Sequence, residues 1–118
     1  MRLLHRLGER PRRCERPELA LVGGLAAGAV PWAVEAYAAF AQDKGMRVVR
    51  VIDTHVHADH KSGGRALAKL LDTRYSLHRS AAAAVSFDFD PLDDGQRIDV
   101  GNTLVDVVHT PGHTPEGI

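Results

Sequence analysis

The sequence predicts an α/β fold in one small domain. Three observations predict it: an apolar helical period, a β-branched run directly after it, and a second helix-then-strand pair that ends in a hairpin. The chain has 118 residues, 44% of them apolar and 25% charged, which suffices for one modest core. The predicted order is therefore helix, strand, helix, strand, hairpin, without internal repeats.

The first helix and the first strand have the clearest local patterns. Apolar residues recur at i, i+3, i+4 and i+7, which is one face of a helix. These residues are Val34, Tyr37, Ala38 and Ala41. The helix is predicted over 33–44, with Gly45 as its C-terminal stop. The β-branched run at 47–53 then predicts a buried strand.

The second half of the chain is again predicted to form a helix followed by a strand, and then a hairpin. The Ser-Gly-Gly step at 62–64 opens a helical pattern whose buried face is predicted from four apolar residues. They are Ala66, Leu67, Leu70 and Leu71. A strand is predicted over 74–78 and a turn over 91–95. Strands over 97–100 and 103–108 flank Gly101-Asn102, which predicts a two-residue hairpin loop.

Charge and cysteine content exclude several classes of protein. The 15 basic and 15 acidic side chains give no net charge, so no nucleic-acid partner and no anionic membrane surface is expected. The one cysteine, Cys14, excludes an intramolecular disulfide and a zinc site made of cysteines. The clusters of arginine near the N-terminus and of aspartate over 88–106 are typical of solvated faces.

Residues 1–32 are predicted to form an atypical basic and apolar N-terminal segment, distinct from a domain at 33–118. The uncharged run over 19–34 is rich in Ala and Gly and is too short to span a membrane, so no stable membrane association is expected. We expect a poorly packed N-terminus and a cytoplasmic protein. The alternative is an exported protein, with this run as a signal and a small-residue cleavage site near residue 38 or 41.

The most informative segment is THVHADH at 54–60, directly after the 47–53 strand. Alternate residues of an extended segment point the same way, so His55 and His57 can offer ring nitrogens to one ion. Asp59 and His60 follow where the chain must turn and can face the same cavity. Imidazole and carboxylate are ligands of zinc, iron and manganese alike. The segment therefore predicts a metal site.

A second histidine motif, HTPGHTP at 109–115, follows the hairpin. Its prolines and glycine predict a stiff loop that fixes His113, the natural third imidazole for an ion held by His55 and His57. Three protein ligands leave one position for water, as in catalytic zinc sites. Asp53 is expected to orient the loop or a ligand imidazole. His78 and His109 are expected to be structural.

Together, THVHADH with a glycine pair and HTPGHTPEG resemble the metallo-β-lactamase superfamily, most closely its glyoxalase II and persulfide dioxygenase branch. The resemblance covers 33–118. It implies a partial αββα sandwich, roughly the N-terminal half of that fold. It also implies that His55, His57 and His113 bind a first metal, and that Asp59 and His60 bind a second in the binuclear hydrolases. In the dioxygenases, His55 and His113 would bind a single iron.

The resemblance implies a metal-dependent hydrolase acting on a small molecule, a thioester or glutathione conjugate, with one or two Zn²⁺ ions. The alternative is a persulfide dioxygenase with a single Fe²⁺. In either case Asp59 is expected to be catalytic, orienting the nucleophile. The family completes its site with a bridging aspartate and a further histidine downstream of the His113 loop.

We therefore expect the 118 residues to hold an incomplete site with little or no catalysis of their own. A different class of protein is also compatible with the motifs: an inactive metal-binding fragment or the remnant of a pseudogene. Half a sandwich would leave one sheet face uncovered, so self-association through that face is expected.

Overall fold

The computed structural model describes residues 18–22, 31–56 and 62–118. The elements, in chain order, are β1 (Glu18–Val22), α1 (Pro31–Asp43), β2 (Arg47–Ile52), α2 (Gly64–Leu70), β3 (Arg74–His78), a 3₁₀ turn (Arg79–Ala83), β4 (Asp90–Leu92), β5 (Arg97–Val100) and β6 (Thr103–Asp106). Both predicted helices, both predicted single strands and the hairpin are present. No helix in the described ranges has the length and apolar character needed to cross a membrane.

The central layer is a four-stranded sheet in the order β1-β2-β3-β4, and every neighbouring pair is parallel. The pairing of β1 with β2 shifts by one residue, so that Val49 is skipped between the partners of Leu19 and Ala20. This irregularity reverses the alternation along β2. Val48 and Val51 consequently pack towards the helices, and Val49 and Ile52 pack towards the opposite face.

The two helices cover one face of this sheet. Their shared core contains Ala41 from α1, Val51 from β2, and Leu67 and Ala68 from α2. The backbone closes α1 as a Schellman motif: Gly45 has φ +63°, its N–H bonds to Gln42, and the Met46 N–H donates to the Ala41 carbonyl at 2.8 Å. The predicted glycine stop is thus confirmed.

The β5–β6 hairpin covers the other face of the sheet. As predicted, its loop is Gly101-Asn102. Val100 pairs with Thr103, and Gly101 has φ +60°. A second core unites Ile52 and Leu92 of the sheet with Ile98, Val100 and Val107 of the hairpin arm. The described part of the chain is therefore layered as helices, parallel sheet and hairpin. This mixed α/β architecture confirms the predicted fold class.

Two strands were not predicted. β1 lies inside the 1–32 segment and forms an edge of the same sheet, so the expectation of a poorly packed N-terminus is wrong for 18–22. α1 likewise begins at Pro31 rather than 33. β4 includes Pro91, although the sequence predicts a turn at that residue. Pro91 is tolerated because β4 is the other edge of the sheet, where a missing N–H costs little.

The predicted helix faces also need correction. On α2 the buried positions are Gly64, Leu67 and Ala68, whereas Leu70 is 54% exposed and Ala66 is exposed as well. The true i, i+3, i+4 stripe starts at Gly64, because a glycine lets the helix approach β3 closely. On α1, Tyr37 is 41% exposed and lies at the margin of the face.

Candidate metal centre at the carboxyl edge of the sheet

Asp53 fixes the backbone where β2 ends. Its side chain is almost fully buried, and the Tyr75 hydroxyl donates to Oδ2 at 2.7 Å. Its own N–H donates to the Ser76 carbonyl at 3.1 Å. A Cβ on Gly64 would lie 2.8 Å from the Tyr75 ring and 3.1 Å from both Asp53 oxygens, so only glycine fits there. Asp53 therefore joins the end of β2 to β3, and its carboxylate packs against the start of α2, as expected for a residue that orients the loop.

His55 lies two residues further on, and the fold brings His113 to it. The two imidazole rings meet edge to face, with centroids 5.1 Å apart and planes at 79°. His113 is exposed and His55 is half-buried. The Thr54 hydroxyl lies 3.0 Å from Nδ1 of His55. If Nδ1–H donates to that hydroxyl, Nε2 of His55 keeps its lone pair for a ligand.

The separation of the two rings fits a shared metal ion. Two imidazoles on one tetrahedral zinc ion, with bonds of about 2.0–2.1 Å, have centroids about 5 Å apart. The observed separation of His55 and His113 is 5.1 Å. Nitrogen donors of this kind suit zinc and iron(II) equally. The donor set thus fits the implied metal without choosing between the two.

The loop at 109–118 is joined directly to the end of β2. The Ile118 N–H donates to the Thr54 carbonyl at 3.0 Å. In the reverse direction, the Val56 N–H donates to Oε1 of Glu116 at 2.8 Å. The two bonds flank His55 in sequence, and Glu116 lies three residues after His113. They therefore connect the segments that carry the two imidazoles.

Glu116 is a buried carboxylate, with only 5% of its surface exposed. Burial alone would raise its pKa, but hydrogen bonds from the Val56 amide and its own amide, together with the nearby His55 imidazole, bring the pKa below its usual value. The group is thus held as an anion beside the predicted ligands.

The start of the same loop is held by a different set of contacts. The His109 N–H donates to Oδ1 of Asp94 at 2.8 Å, and its Nε2 lies 2.7 Å from the Pro115 carbonyl. Its ring stacks on that of His78, with centroids 3.9 Å apart. Burial, and then the neighbouring His109, lower the pKa of His78. The stacked rings anchor the loop, which matches the expected structural role of both residues.

Of the predicted site residues, the structure brings His55 and His113 together. His57, Asp59 and His60 lie outside the described residues, so their roles stay predictions. Within the described ranges, no cluster of three or more metal-binding side chains occurs. The sequence analysis missed Glu116 and the Tyr75–Asp53 pair. The only local signal for Glu116 is an acidic residue between the proline and the glycine that end the loop.

A separate cavity of about 790 Å³ opens at the opposite edge of the sheet, beside the N-terminal ends of β2 and β3. Arginines line this cavity, and two of them form ion pairs with carboxylates. Arg50 contacts Asp90, and Arg97 bonds to Asp106 at 3.0 Å. This cavity lies away from the histidine pair and takes no part in the candidate centre.

The helices, the parallel sheet and the hairpin place the chain in the class of layered α/β proteins. The two imidazoles lie at the carboxyl edge of its sheet. The solved metallo-β-lactamase of Staphylococcus aureus subsp. aureus COL has this fold. It superposes on 86% of this chain and 29% of its own length, with a TM-score of 0.69 and 25% identity. No protein-family model matches the chain.

Two curated proteins are similar to this chain in sequence. The chain is 34% identical over 100 residues to hydroxyacylglutathione hydrolase of Anaeromyxobacter dehalogenans (strain 2CP-C), covering 85% of this chain and 39% of that protein. It is 32% identical over 75 residues to the mitochondrial persulfide dioxygenase ETHE1 of Bos taurus, covering 63% of this chain and 28% of the relative. The chain thus spans well under half the length of these relatives. By sequence and fold, it belongs to the metallo-β-lactamase superfamily.

Proposed function

We propose that this chain carries part of the metal centre of a hydrolase that cleaves a thioester or glutathione conjugate. The observation that carries the proposal is the meeting of His55 and His113 at 5.1 Å between ring centroids. Similarity to a hydroxyacylglutathione hydrolase supports the choice of substrate class. Zn²⁺, as one or two ions, is the proposed metal.

The residues of the chain would act in stated roles. His55 and His113 would hold the ion, with His57 as the third imidazole and with Asp59 and His60 at a second ion. A bound divalent ion supplies a Lewis acid that makes hydroxide available near neutral pH. Asp59 would accept a proton from the attacking water and keep it directed at the substrate carbonyl. Asp53 would keep the segment that carries the histidines in register with β3.

Metal content and turnover of the purified chain test this proposal. We expect about one equivalent of zinc per folded chain, and its loss in His55→Ala and in His113→Ala. His109→Gln is the matched control, because His109 belongs to the same loop but stacks on His78. A folded chain without zinc, or zinc retained in both alanine variants, would contradict the proposal. Release of free thiol from S-lactoylglutathione would support the substrate class.

A persulfide dioxygenase is the second candidate, favoured by the similarity to the Bos taurus enzyme. Protein prepared without oxygen and loaded with Fe²⁺ would then consume dioxygen when given glutathione persulfide. Metal bound by the histidine pair without either turnover would instead support the third reading, a metal-binding chain without chemistry of its own.

A further inference from the structure

One buried carboxylate near the histidine pair has no part in the proposed chemistry. Glu116 lies on the 109–118 loop, and its Oε1 accepts the Val56 N–H, 60 residues away in sequence. Only 5% of its surface is exposed. A buried charge is costly unless hydrogen bonds compensate it, so a glutamate at this position calls for a specific role.

We propose that Glu116 is a positioning residue, which sets the separation of His55 and His113 by linking the two segments that carry them. The Glu116–Val56 bond runs from the loop to the β2 end, and the Ile118–Thr54 bond runs back at 3.0 Å. We call this pair of bonds the clasp. This inference rests on the proposed function, because it concerns the metal that the two histidines would share.

The geometry explains why the clasp would matter for a ligand pair. His55 lies between the two residues after β2 that the clasp engages, Thr54 and Val56. His113 lies in the loop, three residues before Glu116. A shift of the loop would therefore change the distance between the imidazoles directly. Residues that orient metal ligands typically contribute about 10–100-fold to metal affinity.

Three substitutions test the inference in the full 118-residue chain. Glu116→Ala removes the acceptor of the Val56 N–H. Glu116→Gln keeps a carbonyl oxygen for that bond and removes the charge. Asp94→Ala is the matched control: it removes a carboxylate that also accepts a loop N–H at 2.8 Å, that of His109. That bond ties the loop to the turn before β5 and does not reach the β2 end.

The first measurement needs no metal. Amide hydrogen exchange followed by NMR should show Val56 and Ile118 as protected in the unchanged chain. In Glu116→Ala both amides should exchange faster, because the two bonds close one clasp. Asp94→Ala should leave both rates unchanged. Unchanged exchange at Val56 and Ile118 in Glu116→Ala would overturn the inference, as would an equal acceleration by Asp94→Ala.

The second measurement is the affinity for Zn²⁺ alone, by competition with a chromophoric chelator. Glu116→Ala should weaken binding about 10–100-fold, with Glu116→Gln between it and the unchanged chain and Asp94→Ala close to the unchanged chain. An unfolding curve on each sample separates this effect from a loss of stability. If Glu116→Ala does not fold, the comparison of Zn²⁺ affinity between Glu116→Gln and Asp94→Ala decides the question. Equal affinity in these two variants and the unchanged chain would overturn the positioning role, whereas an unchanged chain that binds no zinc would instead overturn the proposed function.

Discussion

Replacing Tyr75 by Phe should destabilise the fold by about 2–3 kcal/mol, although it removes a single oxygen atom. The Tyr75 hydroxyl donates to Asp53 at 2.7 Å, and Asp53 is only 1% exposed. Hydrogen bonds to charged groups contribute about 1.5–3 kcal/mol. The upper part of that range applies because Oδ2 of Asp53 accepts this bond, whereas its Oδ1 has no hydrogen-bond partner in the described part of the chain. The variant therefore leaves a buried carboxylate without compensation.

Urea unfolding, followed by far-UV circular dichroism, measures this free energy. Tyr37→Phe is the control, because Tyr37 lies on α1 and is 41% exposed. This substitution should lower the free energy of unfolding by no more than about 0.5 kcal/mol. Combining Tyr75→Phe with Asp53→Asn isolates the pair. We expect a coupling free energy of at least 1 kcal/mol, within the range known for contacting residues of about 0.5–3 kcal/mol. A Tyr75→Phe loss no larger than that of Tyr37→Phe would refute the reasoning.

The same bond predicts a pH dependence. Burial, and then the hydrogen bond to Asp53, raise the pKa of the Tyr75 phenol in the folded chain. The unfolded chain releases this proton near pH 10, whereas the folded chain keeps it. The stabilisation by Tyr75 is therefore fully present below about pH 10 and declines as the pH rises above it. The difference in stability between the unchanged chain and Tyr75→Phe should thus be constant below about pH 9 and shrink as the pH rises above about 10. A constant difference would contradict this assignment.

Three further predictions concern stability, each measured by urea unfolding. Arg50→Met should cost more than about 1 kcal/mol, because Arg50 is 8% exposed and its removal takes away the hydrogen bond to the fully buried Ser76 hydroxyl. Arg97→Met, which breaks an exposed ion pair, should cost at most about 1 kcal/mol. Leu67→Ala should cost about 2–5 kcal/mol because Leu67 is fully buried, and Leu70→Ala, at 54% exposure on the same helix, should cost far less. The lowered pKa of His78 means that its neutral form favours folding. Stability should therefore fall as the pH drops below about 6.5, less steeply in His78→Gln.

The elements that local chemistry determines were predictable from the sequence. Gly45 ends α1 because of its left-handed backbone, and the run that begins at Arg47 forms a buried strand. β1 was not predictable, because five residues of weak pattern become a strand only by pairing with β2, 29 residues away at its first partner. β4 was missed for a related reason. A proline ordinarily ends a strand, and only the position of β4 at the sheet edge makes Pro91 acceptable.

The candidate site divides in the same way. The histidine spacing indicated His55 and His113, because few types of side chain bind metal ions and their spacings form recognisable motifs. Glu116 is not a predicted metal ligand and belongs to no such spacing motif. Its partner is a backbone N–H 60 residues away, and no spacing rule in one sequence points to such a bond. The Tyr75–Asp53 pair is equally non-local, since Asp53 follows β2 and Tyr75 lies near the start of β3, the neighbouring strand of the parallel sheet.

The two faces of the sheet should differ in their effect on metal binding. Ile118, whose N–H closes the clasp, packs against the hairpin-side core that contains Val107. Val48 belongs to the helix-side core at the other end of β2. The two valines are 4% and 7% exposed, so Val107→Ala and Val48→Ala should each cost roughly 1.5–3 kcal/mol in stability. Only Val107→Ala loosens the packing under Ile118, so it alone should weaken zinc affinity in the folded chain. If the two variants bind zinc equally, the loop is held by its hydrogen bonds alone and the hairpin core does not contribute to the site.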